Sequence, residues 1–251
     1  MDLEPLSPPA AAHRRRGERT RTIPEQIADH VAAAIVNGEY RDGERLREQE
    51  LAELYGVSRG PVREAIRELH KHGLVTLTPR RGAFAIGVSV DLVAESFNAR
   101  AALAGIAARQ FTRRRPEAGL AELAVRVGEL ETLLAAPNVA AITFARAIAL
   151  SARTIYRHCG TGHIERVLRE HFHSTIWGLM WRAEPLDYLT MERRAQTVDF
   201  WRRIHQAACA GDERAAERLL RADTLTSRDS VIATLSRIRN ETVDPTLMLH
   251  D

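Results

Sequence analysis

The sequence predicts a mainly α-helical protein: an N-terminal winged helix-turn-helix (three helices plus a β-hairpin wing) followed by an all-α helical bundle. Three observations lead to this prediction. Two short amphipathic segments meet at the turn "YGVSR", strand-like residues surround "PRRG", and from residue 89 onward the apolar residues recur only at helical spacing. A chain of 251 residues is long enough for two domains with separate cores.

The segment before the first helix is rich in proline, alanine and arginine and shows no periodicity. Residues 1–21 are therefore expected to form a disordered basic arm. The first helix is expected to start after Thr22, a residue type that caps helix N-termini, with Pro24 in its first turn and Gly38 at its end. The stretch "YRDGERL" that follows is typical of a turn.

The second and third helices flank the tight turn, and the second is expected over residues 48–55. The residues expected to face inward on it are Leu51, Ala52 and Leu54. Ser58 is expected to cap the third helix, whose apolar residues follow i, i+3, i+4, i+7 spacing, and Gly73 closes it. The stretch "LVTLTPRRGAFAI" predicts two short strands, so the winged helix-turn-helix covers residues 22–87.

The remainder of the chain shows helical spacing, with proline and glycine residues at the breaks. Six helical segments are expected, at residues 89–114, 117–134, 139–157, 162–182, 187–210 and 212–239. Together they form an all-helical domain over residues 88–240. Residues 241–251 are expected to be a loose tail.

The composition indicates a protein of a reducing cell interior. Two cysteines are too few for a disulfide framework, and no apolar run approaches the roughly 20 residues that span a bilayer. The N-terminus lacks the apolar core of a signal peptide. A cytoplasmic location, with no membrane partner, is therefore expected.

Positive charge is concentrated in two places along a chain whose formal net charge is +3. Residues 11–21 hold five arginines against one glutamate, and residues 56–86 hold six cations against two glutamates. A concentrated excess around the helix-turn-helix is the surface that a polyanion such as DNA needs.

A helix-turn-helix places its second helix in the major groove of DNA, leading with the N-terminal residues. Those residues here are Ser58, Arg59, Gly60, Pro61 and Arg63. Arginine donates two parallel hydrogen bonds to a guanine, and the arginines at the hairpin tip could reach the backbone or the minor groove. Taken alone, an amphipathic helix with arginines on one face is usually just a solvated helix. The order of helix, helix-turn-helix and basic-tipped hairpin favours DNA binding.

The stretch "LREQELAELYGVSRGPVREAIRELHKHGLV" followed by "PRRGAFA" resembles the DNA-binding domain of GntR-family bacterial transcription regulators. Departures are small: Gly60 stands where threonine is common, and Arg47 replaces a small capping residue. The resemblance implies that Arg59 and Arg63 contact bases. It implies neighbouring contacts by Gln49, Ser58, Gly60 and Pro61, and wing contacts by Arg80, Arg81 and Gly82.

The helical remainder, with "ESFNAR" and "AGDERAAERLL", is similar to the FadR-like subfamily and its FCD effector domain. Many FCD domains hold a metal with an aspartate, a histidine four residues later and two further histidines. The resemblance places those four positions at Ile148, Ala152, Trp201 and Asp223. One carboxylate alone is not a metal site, so neither a metal nor another cofactor is expected.

Four histidines elsewhere offer an alternative metal site: His158, His163, His171 and His173. Two of them are two residues apart on a predicted helix and so point in nearly opposite directions, while the other two flank a turn that contains glycine. This spacing favours helix-end and surface positions over metal binding.

The resemblance also places Arg100 in the effector pocket, where it could meet an anionic ligand, although it could equally be a surface arginine on a long helix. Further residues are expected to line the same pocket: Ile148, Ala152, Tyr156, Trp201, His205 and Asp223. Aliphatic and aromatic side chains in place of metal ligands suggest a larger or more apolar effector than a small metal-chelating carboxylate.

The sequence predicts a transcription regulator, acting as a repressor, that binds an inverted-repeat operator as a homodimer and responds to a small molecule in its helical domain. Repression is favoured because a regulator without an activation surface acts most simply by blocking polymerase. A DNA-binding regulator with no small-molecule effector is the alternative. An enzyme is the distant alternative, because the bundle offers no nucleophile elbow, phosphate-binding glycine loop or HExxH motif.

Overall fold

The structure is a computed structural model that describes residues 22–71, 73–87, 89–160, 162–173 and 186–249. The predicted basic arm, residues 1–21, lies outside the described residues. None of the helices in the described ranges combines the length and the apolar character that a bilayer-spanning segment requires.

The N-terminal part contains three helices and three short strands. They are α1 (Ile23–Val36), β1 (Arg45–Leu46), α2 (Glu48–Tyr55), α3 (Arg59–Lys71), β2 (Val75–Thr78) and β3 (Gly82–Ala85). A capping box starts α1, as the threonine predicted: Thr22 Oγ1 accepts from the Glu25 N–H, and the Thr22 N–H donates to Glu25 Oε2 over 2.8 Å. Gly56 ends α2 with a left-handed φ of +64°, the conformation that glycine adopts most readily.

The wing is a three-stranded antiparallel sheet in the order β1–β3–β2. The stretch "YRDGERL" was expected to be a turn, and that expectation is wrong for its last two residues. Arg45 and Leu46 pair with Phe84 and Ala83 on β3, and Leu46 is buried. The pairing covers an edge of β3 that a two-stranded hairpin would leave open.

The C-terminal part is helical wherever the structure describes regular elements. It comprises α4 (Val90–Arg114), α5 (Glu117–Ala135), α6 (Ala141–His158), α7 (Gly162–His173), α8 (Met191–Ala210), α9 (Glu213–Arg239) and a short 3-10 helix (Pro245–Leu247). The helix expected over 162–182 is described as far as residue 173, and its remainder lies outside the described residues. The helix expected from 187 begins at Met191, because Thr190 Oγ1 accepts from the Arg193 N–H and caps it.

Two cores hold these helices together. The first core contains the buried residues of α1–α3 and the sheet, together with the start of α4 and the end of α9. Phe97 and Leu235, from these two long helices, are almost fully buried in it. The second core lies among the remaining parts of α4 to α9 and contains Trp201 and Phe144. The helix-turn-helix is therefore packed directly on the long helices α4 and α9.

The C-terminal segment is not the loose tail that the sequence suggested, as far as residue 249. The Leu247 carbonyl accepts from Asn98 Nδ2 on α4 over 2.8 Å, and the Asp244 N–H donates to Asp91 Oδ1 over 2.8 Å. Val243, Leu247 and Met248 pack against the first core. Packing removes these apolar side chains from water, and this explains why the segment lies on the first core although the sequence suggested a loose tail.

Candidate nucleic-acid interface and ligand site

The third helix presents its basic face to solvent because its apolar face is fixed by the first core. Val62, Ala65, Ile66 and Leu69 are buried on one side, where α3 contacts α1. Arg59, Arg63 and Arg67 are exposed on the other side. Ser58 and Gly60 at the leading end are also exposed, and Pro61 is half-buried. The structure thus brings together the predicted contact residues of α3.

Arg59, at the first turn of α3, is held by a residue of α2. Its Nη2 donates to Gln49 Oε1 over 3.1 Å, and Gln49 Nε2 in turn donates to Glu53 Oε1 over 3.1 Å. Gln49 was predicted as a DNA contact. In this structure the oxygen and the nitrogen of the Gln49 side-chain amide both form hydrogen bonds to protein side chains. Gln49 therefore also orients Arg59.

Arg63, one turn later, is held by a second residue of α2. Its Nε donates to Glu48 Oε2 over 2.7 Å, with 56% of the Arg63 side chain and 36% of the Glu48 side chain exposed. Sequence reasoning missed Glu48, because a glutamate at the start of a helix is common and its contact with α3 depends on how the two helices cross.

The wing tip is basic and exposed, as predicted. Arg80 has a left-handed φ of +61°, and Gly82 has a φ of +104°. The Arg81 guanidinium lies 5.9 Å from the centre of the Phe84 ring, which holds it along the outer surface of β3. The tip therefore offers two exposed arginines.

In the helical domain, most of the predicted pocket residues meet in the interior. Ile148, Ala152, Tyr156, Trp201 and Asp223 are all buried, the first four of them in the second core. The four positions that the resemblance was expected to align with metal ligands are thus all buried in this chain, and only Asp223 among them carries a ligand-type side chain.

Asp223 is a buried carboxyl group with unusual surroundings. Burial raises its pKa to about 7, Arg193 and Arg100 oppose the rise, and Asp187 adds to it. The Trp201 indole N–H also lowers the pKa of this carboxyl, without completing a well-aligned hydrogen bond. Asp223 is therefore close to the point where it is half protonated at neutral pH.

Arg100 lies at the edge of this interior and is half-buried. Burial raises the pKa of Tyr156, while the Arg100 charge and a hydrogen bond from it oppose that rise. The surface-arginine alternative for Arg100 therefore does not fit the structure. His205 was predicted as a lining residue too, but it is half-exposed and its Nε2 lies 3.4 Å from Cys209 Sγ.

A second polar cluster near Asp223 was missed by sequence reasoning. The Arg193 Nε and Nη2 atoms donate to the two oxygens of Asp187 over 2.9 and 3.0 Å, and Nη2 also donates to Ser227 Oγ over 2.8 Å. Tyr188 Oη lies 3.3 Å from Ser227 Oγ, and Arg193 also donates to Thr197. Because Asp187 lies in a loop before α8, helical periodicity could not place it here.

Among the described residues, no three His, Cys, Asp or Glu side chains lie close enough together to hold a metal ion. Of the four histidines considered as an alternative, His158 Nε2 lies 3.3 Å from Glu122 Oε2, and His163 is exposed. The side chains of His171 and His173 lie outside the described part of the chain.

A helix-turn-helix with a cationic second helix and a basic wing, joined to an all-helical domain, is the architecture of winged-helix transcription regulators. The chain belongs to the gntR family of bacterial regulatory proteins: that family's model matches residues 23–85, and the FCD domain model matches residues 95–224. The predicted family and fold class are thereby confirmed.

Several relatives resemble the chain over about a third of its length. The HTH-type transcriptional regulator YdhC of Bacillus subtilis is 37% identical over 82 residues, which are 33% of this chain and 37% of that protein. The HTH-type transcriptional repressor RspR of Escherichia coli is 32% identical over 91 residues, 36% of this chain and 40% of that protein. The matched stretches thus span about two fifths of the relatives' own length.

Two solved structures share the fold over most of the chain. The structure of Lar, described as controlling expression of the Listeria monocytogenes agr system, has a TM-score of 0.69 and 19% identity, over 88% of this chain and 99% of that one. E. coli McbR/YncC has a TM-score of 0.55 and 18% identity, over 87% and 99%. At this identity the likeness extends to the fold alone.

Proposed function

We propose that this protein is a ligand-responsive transcription regulator that binds an inverted-repeat operator as a homodimer and acts as a repressor. The observation that carries the proposal is the leading end of α3, where Arg59 and Arg63 are exposed on one face and each is oriented by α2. A guanidinium held in this way suits the bidentate contact to guanine O6 and N7.

The wing supports the same role. Arg80 and Arg81 are exposed at its tip, where they would meet phosphates or the minor groove while α3 lies in the major groove. Gln49, Ser58, Gly60 and Pro61 would line the approach, and Gly82 keeps the tip slim.

Dimerisation follows from the reach of one recognition helix. A single helix covers only a few base pairs, so two copies related by a two-fold axis are needed for useful affinity, and their operator is an inverted repeat. Sedimentation should give a dimer at micromolar concentration. A monomer with the same affinity for the operator would contradict this part of the proposal.

The effector would bind at the buried cluster around Trp201 and Asp223. Within the described residues, Asp223 Oδ1 and Trp201 Nε1 make no hydrogen bond of good geometry, so both keep capacity for a ligand. Ile148 and Ala152 belong to the same apolar core as Trp201, and Arg100 offers a positive charge that acts on Asp223. An effector with an apolar body and a polar or anionic group suits this surface.

A thermal-shift screen of small molecules, paired with operator binding, tests the effector proposal. We expect the screen to find a compound that stabilises the protein and also changes its affinity for the operator. The same compound should have neither effect on the Trp201→Ala variant. A screen in which no compound stabilises the protein while operator binding stays intact would favour the alternative, a regulator without a small-molecule effector.

A further inference from the structure

We infer that Glu48 is a positioning residue for DNA-sequence recognition, one that sets the orientation of the Arg63 guanidinium. Its carboxylate accepts the Nε–H of Arg63 over 2.7 Å. Both terminal amino groups of the guanidinium remain available to a base pair, since neither is used in this contact. The inference rests on the proposed reading of bases by Arg63.

The start of α2 keeps the Glu48 carboxylate in place. Glu48 is the first residue of that helix, where the helix dipole favours a negative charge. The Gly56 turn connects α2 directly to α3, so the distance between Glu48 and Arg63 is set by backbone rather than by long loops. Glu48 is also only 36% exposed, which restricts its rotamers.

For DNA binding itself, a carboxylate at this position is unfavourable. A negative charge beside the DNA-facing surface repels phosphates, and a solvent-exposed ion pair contributes little to stability. A fixed hydrogen bond to Nε does have a use, because an arginine held before binding loses less conformational freedom when it contacts DNA. It also aligns the two terminal amino groups with guanine O6 and N7.

Gln49 acts on Arg59 in a comparable way, so two neighbouring residues of α2 each orient one arginine of α3. The Gln49 side chain is neutral, and its oxygen accepts from Arg59 over 3.1 Å. Glu48 carries a charge, so its removal should raise the affinity for random DNA and lower the discrimination between operator and random DNA. This makes Glu48 the sharper test.

The experiment uses the full chain and the duplex that it enriches from a randomised DNA library. Affinity for this duplex and for a random duplex of equal length is measured at one salt concentration, and their ratio is the discrimination. Glu48→Ala should raise affinity for random DNA, because a repelling charge is lost. The same change should lower the discrimination about fivefold or more, a share of what a bidentate contact supplies.

Two further variants separate position from charge. Glu48→Gln should raise random binding equally but lose less discrimination, because its amide oxygen still accepts from Nε. Glu50→Ala is the matched control, because it also removes a carboxylate from α2. The Glu50 carboxylate pairs with Arg47 over 2.5 Å and not with Arg63. This substitution should leave the discrimination unchanged.

The role of Arg63 itself is checked in parallel. Arg63→Ala should lower the discrimination about 5- to 150-fold, and adding Glu48→Ala to it should lower the discrimination no further. If Arg63→Ala lowers the discrimination but Glu48→Ala does not, the inference about Glu48 is overturned and base reading by Arg63 stands. If Arg63→Ala leaves the discrimination unchanged, the proposed role of Arg63 is wrong, and the inference falls with it.

Discussion

Arg59 and Arg63 lie four residues apart on the exposed face of α3, and Arg67 follows one turn later. We predict that Arg59→Ala and Arg63→Ala each lower the operator preference, at a loss of roughly 1–3 kcal/mol. Arg67→Ala, farther from the leading end, should weaken binding to operator and random DNA alike through a lost phosphate contact. Competition binding with both duplexes measures this. Equal losses on both duplexes for Arg59→Ala and Arg63→Ala would assign these residues a purely electrostatic role.

Asp223 makes stability depend on pH. Its pKa is about 7 in the folded chain, because burial disfavours the charged carboxylate, against about 3.9 when unfolded. The folded state thus binds the proton more tightly, so the stabilisation is complete below about pH 4 and is lost as pH rises through about 7. Asp223→Asn stays neutral throughout. The Tm of Asp223→Asn should therefore rise relative to the Tm of the wild type as pH increases from about 4 to about 7.

The comparison of these two Tm curves cancels the titrating groups that do not interact with Asp223. A constant difference between the curves across this pH range would mean that Asp223 is charged in the folded protein, held so by Arg193 and Arg100.

Single residues were predictable where helical spacing decides their surroundings. The buried face of α3 and the exposure of Arg59 and Arg63 both follow from it. Leu54 was expected to face inward on α2 but is 49% exposed, because the inward face of that helix runs through Leu51, Ala52 and Tyr55. The contacts of Glu48 and Gln49 depend on the crossing of two helices, which spacing within one helix does not encode.

At the scale of elements, the C-terminal segment stabilises the start of α4. We predict that Leu247→Ala lowers the free energy of unfolding by about 1 kcal/mol, because Leu247 is half-buried against the first core. Leu249→Ala is the matched control, since that side chain is 50% exposed and should change stability little. Urea denaturation measures both. Equal effects of the two substitutions would mean that this segment does not dock on α4 in solution.

Long helices were easier to predict than short elements. The ends of α4 and α5 fall within about one residue of their predicted positions, because long apolar periodicity and proline breaks both mark them. Strand β1 is two residues long and carries no period of its own, so only its partner β3 reveals it. The start of α8 depends on the Thr190 cap, which sequence patterning could not distinguish from the turn before it.

At the scale of the whole molecule, one helix connects the two proposed sites. Helix α9 carries Asp223 in the helical domain and Val231 and Leu235 in the first core beneath the helix-turn-helix. A displacement of α9 on effector binding would reach α3 through packed side chains alone. Sequence reasoning placed a domain boundary near residue 88, but it could not reveal that the first core continues across it.

The salt dependence of DNA binding is also a property of the whole molecule. Arginine contacts with phosphates release counterions, so affinity should fall steeply as salt rises. We predict that removing residues 1–21, with its five arginines, reduces this slope. Fluorescence anisotropy at several salt concentrations measures it. An unchanged slope after truncation would show that the arm makes no phosphate contacts.

The most direct test of sequence-specific binding by a homodimer is selection of duplexes from a randomised DNA library by the full chain, followed by sequencing and determination of the stoichiometry. We predict enrichment of a short inverted repeat with a guanine in each half-site, bound by two chains per duplex. Enrichment of no sequence, or of a single half-site bound by one chain, would contradict the proposal.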